Sequence, residues 1–124
     1  MQGTRTGSHS YSILQGKSKR CYFTDTEAGP LERHHIYFGV GMRQISDKHG
    51  FWVWLKPEWH RGTQGVHGRD GHKIDLRLKQ DCQRRFEETH TRAEFMAIIG
   101  KNYLSDEPER KPQTPADTGG FYLL

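Results

Sequence analysis

The chain lacks several features that would assign it to large classes of protein. No stretch approaches the roughly 20 apolar residues that a membrane-spanning helix needs, and the N-terminus has no apolar segment of the signal-peptide type. Only two cysteines occur, Cys21 and Cys82, and no Cys-x-x-Cys pair is present. A disulfide framework and a structural zinc held by four thiolates are therefore excluded. These absences predict a soluble cytoplasmic protein with two free thiols and no membrane partner, with Cys82 buried as a small apolar residue.

Acidic residues are absent from the first 24 positions, although the whole chain carries a formal charge of only +4. The basic residues of that segment are Arg5, Lys17, Lys19 and Arg20. Such a segment attracts polyanions, and Lys17, Lys19 and Arg20 are therefore candidate nucleic-acid contacts. The segment could equally serve only to keep the protein soluble.

Apolar residues make up 32% of the 124 positions, which indicates one modest domain with polar ends. Residues 1–10 are rich in Gly, Ser and Thr and predict a flexible arm, whereas 105–124 are polar and contain prolines, which predicts a flexible tail. Residues 11–104 are left as the folded domain, and the apolar groups within 11–24 predict a pair of short N-terminal strands.

The domain alternates strand-like and helix-like patterns. Strands are predicted over 31–38 and 51–55, with a helix over 43–49 between them that ends at Gly50. Pro57 suits the first position of a second helix. A long helix is predicted from His72 to Glu88, with an apolar stripe of Ile74, Leu78, Cys82 and Phe86, and Asp70 is expected to cap it. Thr91 and Glu94 predict a capping box at the start of a last helix that ends at Gly100.

Four histidines stand out against this background: the adjacent pair His34-His35 on the first predicted strand, then His60 and His67. Neighbouring side chains on a strand point to opposite faces. At a strand end, however, both can approach one site, one as a metal ligand and the other as a base. Neutral imidazole binds metals and titrates near neutral pH, so it suits both tasks.

Two sequence motifs around these histidines resemble those of the HNH family of nucleases. They are Leu31-Glu32-Arg33-His34-His35-Ile36 and Trp54-Leu55-Lys56-Pro57-Glu58-Trp59-His60. The run through Gly65-Val66-His67 into the long helix is similar to small phage-encoded HNH proteins. The resemblance covers about residues 12–104. It implies an α+β fold with a ββα-metal core, short N-terminal strands and a C-terminal helical extension, in a phage- or prophage-encoded protein.

The resemblance also implies roles for the histidines. His35 would be the general base, and His34, His60 and His67 would bind one divalent metal ion, while the chain cuts DNA. Imidazole ligands favour Zn or Ni over Mg, and Mn is a further candidate. Arg33, Arg61 and Arg69 adjoin these positions and are candidate phosphate ligands.

Two features of the sequence differ from the family pattern. The middle Asn that orients the base is absent, because Gly50 and Phe51 occupy that region, and the bracing cysteine pairs are lost. Two other functions therefore remain open. One is a catalytically inactive module that binds nucleic acid or a protein, such as an inhibitor or packaging accessory. The other is a metal-dependent hydrolase of a small phosphoester.

Overall fold

Two short antiparallel strands carry the histidine pair. In a computed structural model, which describes residues 11–109, β1 spans Glu32–His35 and β2 spans Trp52–Leu55. Because side chains alternate along a strand, the register assigns every residue to one of two faces. One face carries Glu32, His34, Val53 and Leu55, and the other carries Arg33, His35, Trp52 and Trp54.

Helix α1, Met42–His49, connects the two strands and confirms the helix predicted there. Gly50 ends it with φ of 75°, a left-handed conformation that glycine adopts without strain. The Ser46 hydroxyl accepts a hydrogen bond from the Tyr37 backbone N–H at 3.1 Å and donates to the Tyr37 carbonyl at 2.7 Å. These two bonds fix α1 beside the end of β1.

Helix α2, Pro57–His60, follows β2 directly, with proline in the first turn as predicted. The chain then runs as a coil to Gly71, where the long helix α3, His72–Phe86, begins. The prediction that Asp70 caps α3 is wrong. The N-cap residue is Gly71, and no side chain caps the helix there.

Helices α3 and α4 bury their apolar residues in the same core as the sheet. The predicted stripe is confirmed, since Leu78 and Cys82 are fully buried and Phe86 nearly so. Helix α4, Arg92–Ile99, buries Phe95 against this stripe. Residues 11–109 thus form a small α+β structure with one two-stranded sheet and four helices, in which the helices cover the Val53 and Leu55 side of β2.

The start of α4 has the capping box that the sequence predicts. The Thr91 hydroxyl accepts from the Glu94 backbone N–H at 3.0 Å, and the Glu94 carboxylate accepts from the Thr91 backbone N–H at 2.7 Å. Such a reciprocal pair satisfies two backbone donors that the helix itself leaves free. The helix ends at Gly100, again as predicted.

The prediction of short N-terminal strands is wrong. Within residues 11–24 the structure has only isolated bridges, between Ser12 and Gly16 and between Cys21 and Trp54. The Ser12 hydroxyl accepts hydrogen bonds from the backbone N–H groups of Leu14 and Gln15. These bonds close a tight turn where a strand pair would need extended backbone.

The segment around Cys21 packs on the turn between β2 and α2. The backbone N–H of Lys56 lies 3.5 Å from the Cys21 sulfur, and the rings of Phe23 and Trp59 are 5.3 Å apart. Both cysteines of the described residues are free and Cys82 is buried, as predicted, and Cys21 is buried as well. Contacts of the Cys21 sulfur and of the Phe23 ring therefore hold this segment against β2 and α2.

Ion pairs hold residues 105–109 against α3 and α4. The Glu107 carboxylate accepts from Arg84 Nε at 3.1 Å, and the Glu107 carbonyl accepts from Arg92 Nη1 at 2.8 Å. Contact thus extends past the predicted domain end at residue 104. The predicted arm, 1–10, and residues 110–124 of the predicted tail lie outside the described residues. No helix within 11–109 combines the length and the apolar character needed to cross a membrane.

Candidate metal centre

Three histidines from separate parts of the chain converge on one point. His34 comes from β1, His60 ends α2, and His67 lies in the coil before α3. Their ring centroids form a nearly equilateral triangle, with sides of 5.1, 5.0 and 5.0 Å. One nitrogen of each ring lies within 4.8 Å of the corresponding nitrogens of the other two. The three imidazoles are close enough to hold one metal ion.

The coil after α2 brings His60 and His67 together. The His67 backbone N–H donates to the His60 carbonyl at 3.0 Å, and parallel bonds join Val66 to Trp59 and Asp70 to Thr63 at 2.8 Å. Each of these bonds spans seven residues, so the coil is regular. We call residues 61–71 the glycine coil.

Glycines allow the turns of this coil to touch. A Cβ on Gly68 would lie 1.8 Å from the Gly62 carbonyl oxygen, and one on Gly71 would lie 1.6 Å from the Gly65 oxygen. No side chain fits in such contacts, and glycine is the residue that permits close backbone approach. The spacing of glycines in 62–71 therefore fixes the position of His67 relative to His60.

His34 is the member of the triad whose ring nitrogens lack binding partners within residues 11–109. It is 1% exposed, and neither ring nitrogen has a hydrogen-bond partner within residues 11–109. Burial first, and then the neighbouring His67 and His60, lower the pKa of His34 to about 2. The ring is therefore neutral and keeps a free lone pair. Buried polar groups without partners are rare and unfavourable, and a bound metal ion would remove this deficit.

A carboxylate orients the second ligand. Glu32 Oε1 lies 2.7 Å from Nδ1 of His60 and accepts from Nε of Arg61 at 2.9 Å. Hydrogen bonds from Arg61 and His60 lower the pKa of Glu32 to about 2. An ionised carboxylate only accepts hydrogen bonds, so the proton of neutral His60 resides on Nδ1 and Nε2 is left for a metal. A histidine held by a carboxylate in this way is typical of metal sites.

His67 completes the triangle from the more exposed side. Burial and the adjacent His60 lower its pKa, which keeps the ring neutral and able to bind a metal. Phe38 packs against it with ring centroids 4.8 Å apart, and the ammonium group of Lys79 lies 4.2 Å above the same Phe38 ring. Phe38 therefore lies between His67 and the partly buried ion pair of Lys79 and Asp75.

The triad opens into a cavity of about 450 Å³. The cavity is lined by Arg33, His34, His35, Phe38, Arg43, His60, Arg61 and His67. His35 therefore shares the cavity with the triad although its side chain leaves the opposite face of β1. Its Nε2 lies 3.3 Å from Oδ1 of Asp47 on α1. The four histidines that the sequence singles out thus meet at one site.

Only some of the residues predicted to bind phosphate or nucleic acid line the cavity. Arg33 and Arg61 line the cavity, whereas the Arg69 side chain is 83% exposed and lies 3.6 Å from the Asp70 carboxylate. Lys19 lies over the Trp54 ring, and Arg20 forms ion pairs with two acidic side chains. Lys17 is exposed. Neither these three nor Arg69 line the cavity, and their contact with nucleic acid stays a prediction.

Sequence reasoning missed four residues at this site: Glu32, Phe38, Arg43 and Asp47. Glu32 could have been found, because it stands two positions before His34 and so shares its strand face. Asp47 gave no such signal, since its contact with His35 depends on how α1 folds back onto the sheet.

Comparison with protein-family models, curated proteins and solved structures finds no match to this chain. The functional argument therefore depends on the geometry of the triad and the cavity.

Proposed function

We propose that this protein is a metal-dependent endonuclease of the HNH type, which hydrolyses DNA phosphodiester bonds. One observation carries the proposal. Three imidazoles converge, one of them buried with neither nitrogen hydrogen-bonded within residues 11–109, at a cavity that also holds a fourth histidine and three arginines. Structural histidines are ordinarily hydrogen-bonded, whereas this arrangement is suited to a metal ion beside a site of proton transfer.

The order of elements supports a ββα-metal core. The ligands come from the first strand, the helix directly after the second strand, and the coil that follows. In the sequence resemblance the same three segments supply the metal ligands. The absence of bracing cysteines is compatible with this core, since the contact between Phe23 and Trp59 joins the segment around Cys21 to α2.

The side chains of the cavity have distinct chemical tasks in this proposal. A divalent cation held by His34, His60 and His67 would polarise the phosphate ester and stabilise charge on the leaving oxygen. An all-imidazole set favours Zn or Ni over Mg, with Mn as a further candidate. His35 accepts the proton of the attacking water. Arg43 and Arg61 line the cavity with guanidinium groups, which hold a phosphate in a bidentate manner.

A plasmid-nicking assay tests the proposal. Wild-type protein loaded with Zn, Ni, Mn or Mg should convert supercoiled plasmid to open circles. His35→Ala should lower the rate by about 10²- to 10⁴-fold, the usual share of a general base. His72→Ala is the matched control, because His72 is exposed and lies outside the cavity.

Wild-type protein that contains metal but leaves duplex and single-stranded DNA intact would refute the nuclease. Retained DNA binding would then favour the inactive module, and binding to a protein alone would favour an inhibitor. Cleavage of a small chromogenic phosphodiester without DNA cleavage would favour the small-phosphoester hydrolase.

A further inference from the structure

Four side chains form a continuous row on the outer face of the sheet. The guanidinium carbon of Arg33 lies 3.9 Å from the centre of the Trp52 ring. Arg33 Nη1 donates to Oδ1 of Asp47 at 3.0 Å, and the same oxygen lies 3.3 Å from Nε2 of His35. The row runs from a buried tryptophan to the histidine that faces the cavity.

The row connects three secondary-structure elements. Arg33 and His35 are two residues apart on β1 and therefore point to the same side, and Trp52 is paired with His35 across the sheet. Asp47 comes from α1, three residues before the glycine that ends this helix. Each side chain except Trp52 is about one-quarter to one-third exposed, so the row lies at the edge of the cavity and within reach of water.

The Asp47 oxygen that contacts both side chains determines which ring nitrogen of His35 carries the proton. An ionised carboxylate has no proton to donate, so at this contact it can only accept. A neutral His35 ring must then carry its hydrogen on Nε2, which leaves the lone pair on Nδ1. Since Arg33 donates to the same oxygen, the orientation of the Asp47 carboxylate is also fixed. Arg33 in turn packs over the Trp52 ring, a cation–π contact that favours this side-chain position.

We propose that Asp47 is a positioning residue for His35, held in place by Arg33, and that it makes Nδ1 the basic nitrogen. The catalytic consequence rests on the nuclease function proposed above, but the assignment of the tautomer does not. Asp47 would then take the orienting task for which the sequence offers no Asn. Arg33 serves in this arrangement as the support of Asp47 rather than as a free phosphate ligand.

A merely structural role for Asp47 would give a different result. The ion pair of Arg33 and Asp47 also joins α1 to β1, so loss of stability in a variant does not distinguish the two roles. The tautomer of His35 does, because it depends on the acceptor at Nε2. A kcat that falls while KM and metal affinity stay constant would be a second distinguishing result.

Nitrogen-15 NMR of the metal-free protein at alkaline pH, where imidazoles are neutral, reads the tautomer directly. Wild-type His35 should give the pattern of the Nε2–H form. Asp47→Ala should shift His35 toward a mixture, and Asp47→Asn should keep the wild-type pattern, because Arg33 turns the amide oxygen toward both donors. Glu88→Ala is the control, since Glu88 also pairs with an arginine but lies away from the cavity.

The nicking assay provides the catalytic readout. Asp47→Ala should lower kcat by about 10- to 100-fold, a part of what a general base contributes, and Asp47→Asn should restore most of it. If Asp47→Ala fails to fold, Asp47→Ser, whose side chain is too short to reach His35, replaces it.

The tautomer of His35 tests the role of Asp47, and the nicking rate tests the nuclease function, so each proposal can be refuted without the other. An unchanged His35 tautomer in folded Asp47→Ala or Asp47→Ser overturns the proposal. A shifted tautomer in a protein that never cuts DNA upholds the role of Asp47 and refutes the nuclease.

Discussion

The two adjacent histidines of β1 occupy opposite chemical environments. His34 points into the core side of the sheet, where it is buried and has no hydrogen-bond partner among the described residues. His35 points to the outer side, where it is partly exposed and within hydrogen-bond distance of Asp47. One strand thus supplies an imidazole suited to a metal and another suited to proton transfer. Strand alternation sends the two side chains to opposite faces, and the elements packed on each face then give them different surroundings.

Metal content gives the largest expected difference between the two histidines. His34→Ala removes one of three ligands and, with His60→Ala, should leave no bound Zn or Ni after dialysis, measured by atomic emission. His35→Ala should keep about one metal ion per chain, because His35 belongs to the other face. Equal metal content in the His34→Ala/His60→Ala double variant and in wild type would refute the triad as a metal site.

A methyl group in the glycine coil should weaken metal binding by the triad, although none of the three histidines is changed. Gly68→Ala places a Cβ against the Gly62 carbonyl, so the coil must open and His67 must move. We expect loss of tight metal binding and a fall of about 1–3 kcal/mol in the free energy of unfolding, typical of a forced steric clash. Zinc titration and urea unfolding measure both effects.

Gly29→Asn is the control for Gly68→Ala. Gly29 has a positive φ and an open Cβ position, and Asn tolerates this backbone conformation. The variant should bind zinc as wild type does. Normal zinc affinity in Gly68→Ala would show that the coil does not position His67.

Removal of the carboxylate behind His60 should have an intermediate effect. Glu32→Ala frees the His60 ring and its tautomer, and such losses lower metal affinity by about 10- to 100-fold. Competition with a chromogenic zinc chelator measures the change. Glu58→Ala, in the same helix as His60 but exposed, should have no effect. An unchanged affinity in Glu32→Ala would mean that packing alone orients His60.

The last effect concerns the acid stability of the metal-free protein. The folded state holds the pKa of His34 at about 2, against about 6.5 for a free imidazole. Between these values the unfolded chain binds the extra proton, so stability falls as pH drops below about 6.5. His34 contributes up to about 1.4 kcal/mol per pH unit to this slope.

His34→Leu should flatten the slope of unfolding free energy between pH 4 and 6, measured by urea titration in the presence of a chelator. His90→Leu is the control, because His90 is exposed and lies outside the triad. An unchanged slope in His34→Leu would show that His34 is protonated in the fold.

Local signals in the sequence account for much of the fold. The stripe of α3 and the capping box of Thr91 and Glu94 depend on spacings of three or four residues, and both predictions are confirmed. The N-terminal strands failed because the Ser12 hydroxyl competes for the backbone donors of its own turn. Composition and apolar pattern carry no record of that competition.

The site divides in the same way. The closeness of His34, His60 and His67 could be predicted because strand, proline-opened helix and coil follow one another along the chain. The partner of His35 could not, since Asp47 is twelve residues away and reaches it only through the return of α1. Contacts that close across elements depend on tertiary packing, which a single sequence does not reveal.

The glycine coil also limits how this chain can change length. Backbone hydrogen bonds between residues seven apart hold its turns together, and its closest backbone contacts recur at the glycines. One inserted or deleted residue between His60 and His67 would put a side chain where only a hydrogen atom fits and would turn His67 away from its two companions. The six-residue interval between these histidines is therefore a fixed dimension of the site, and gains or losses of sequence are expected elsewhere.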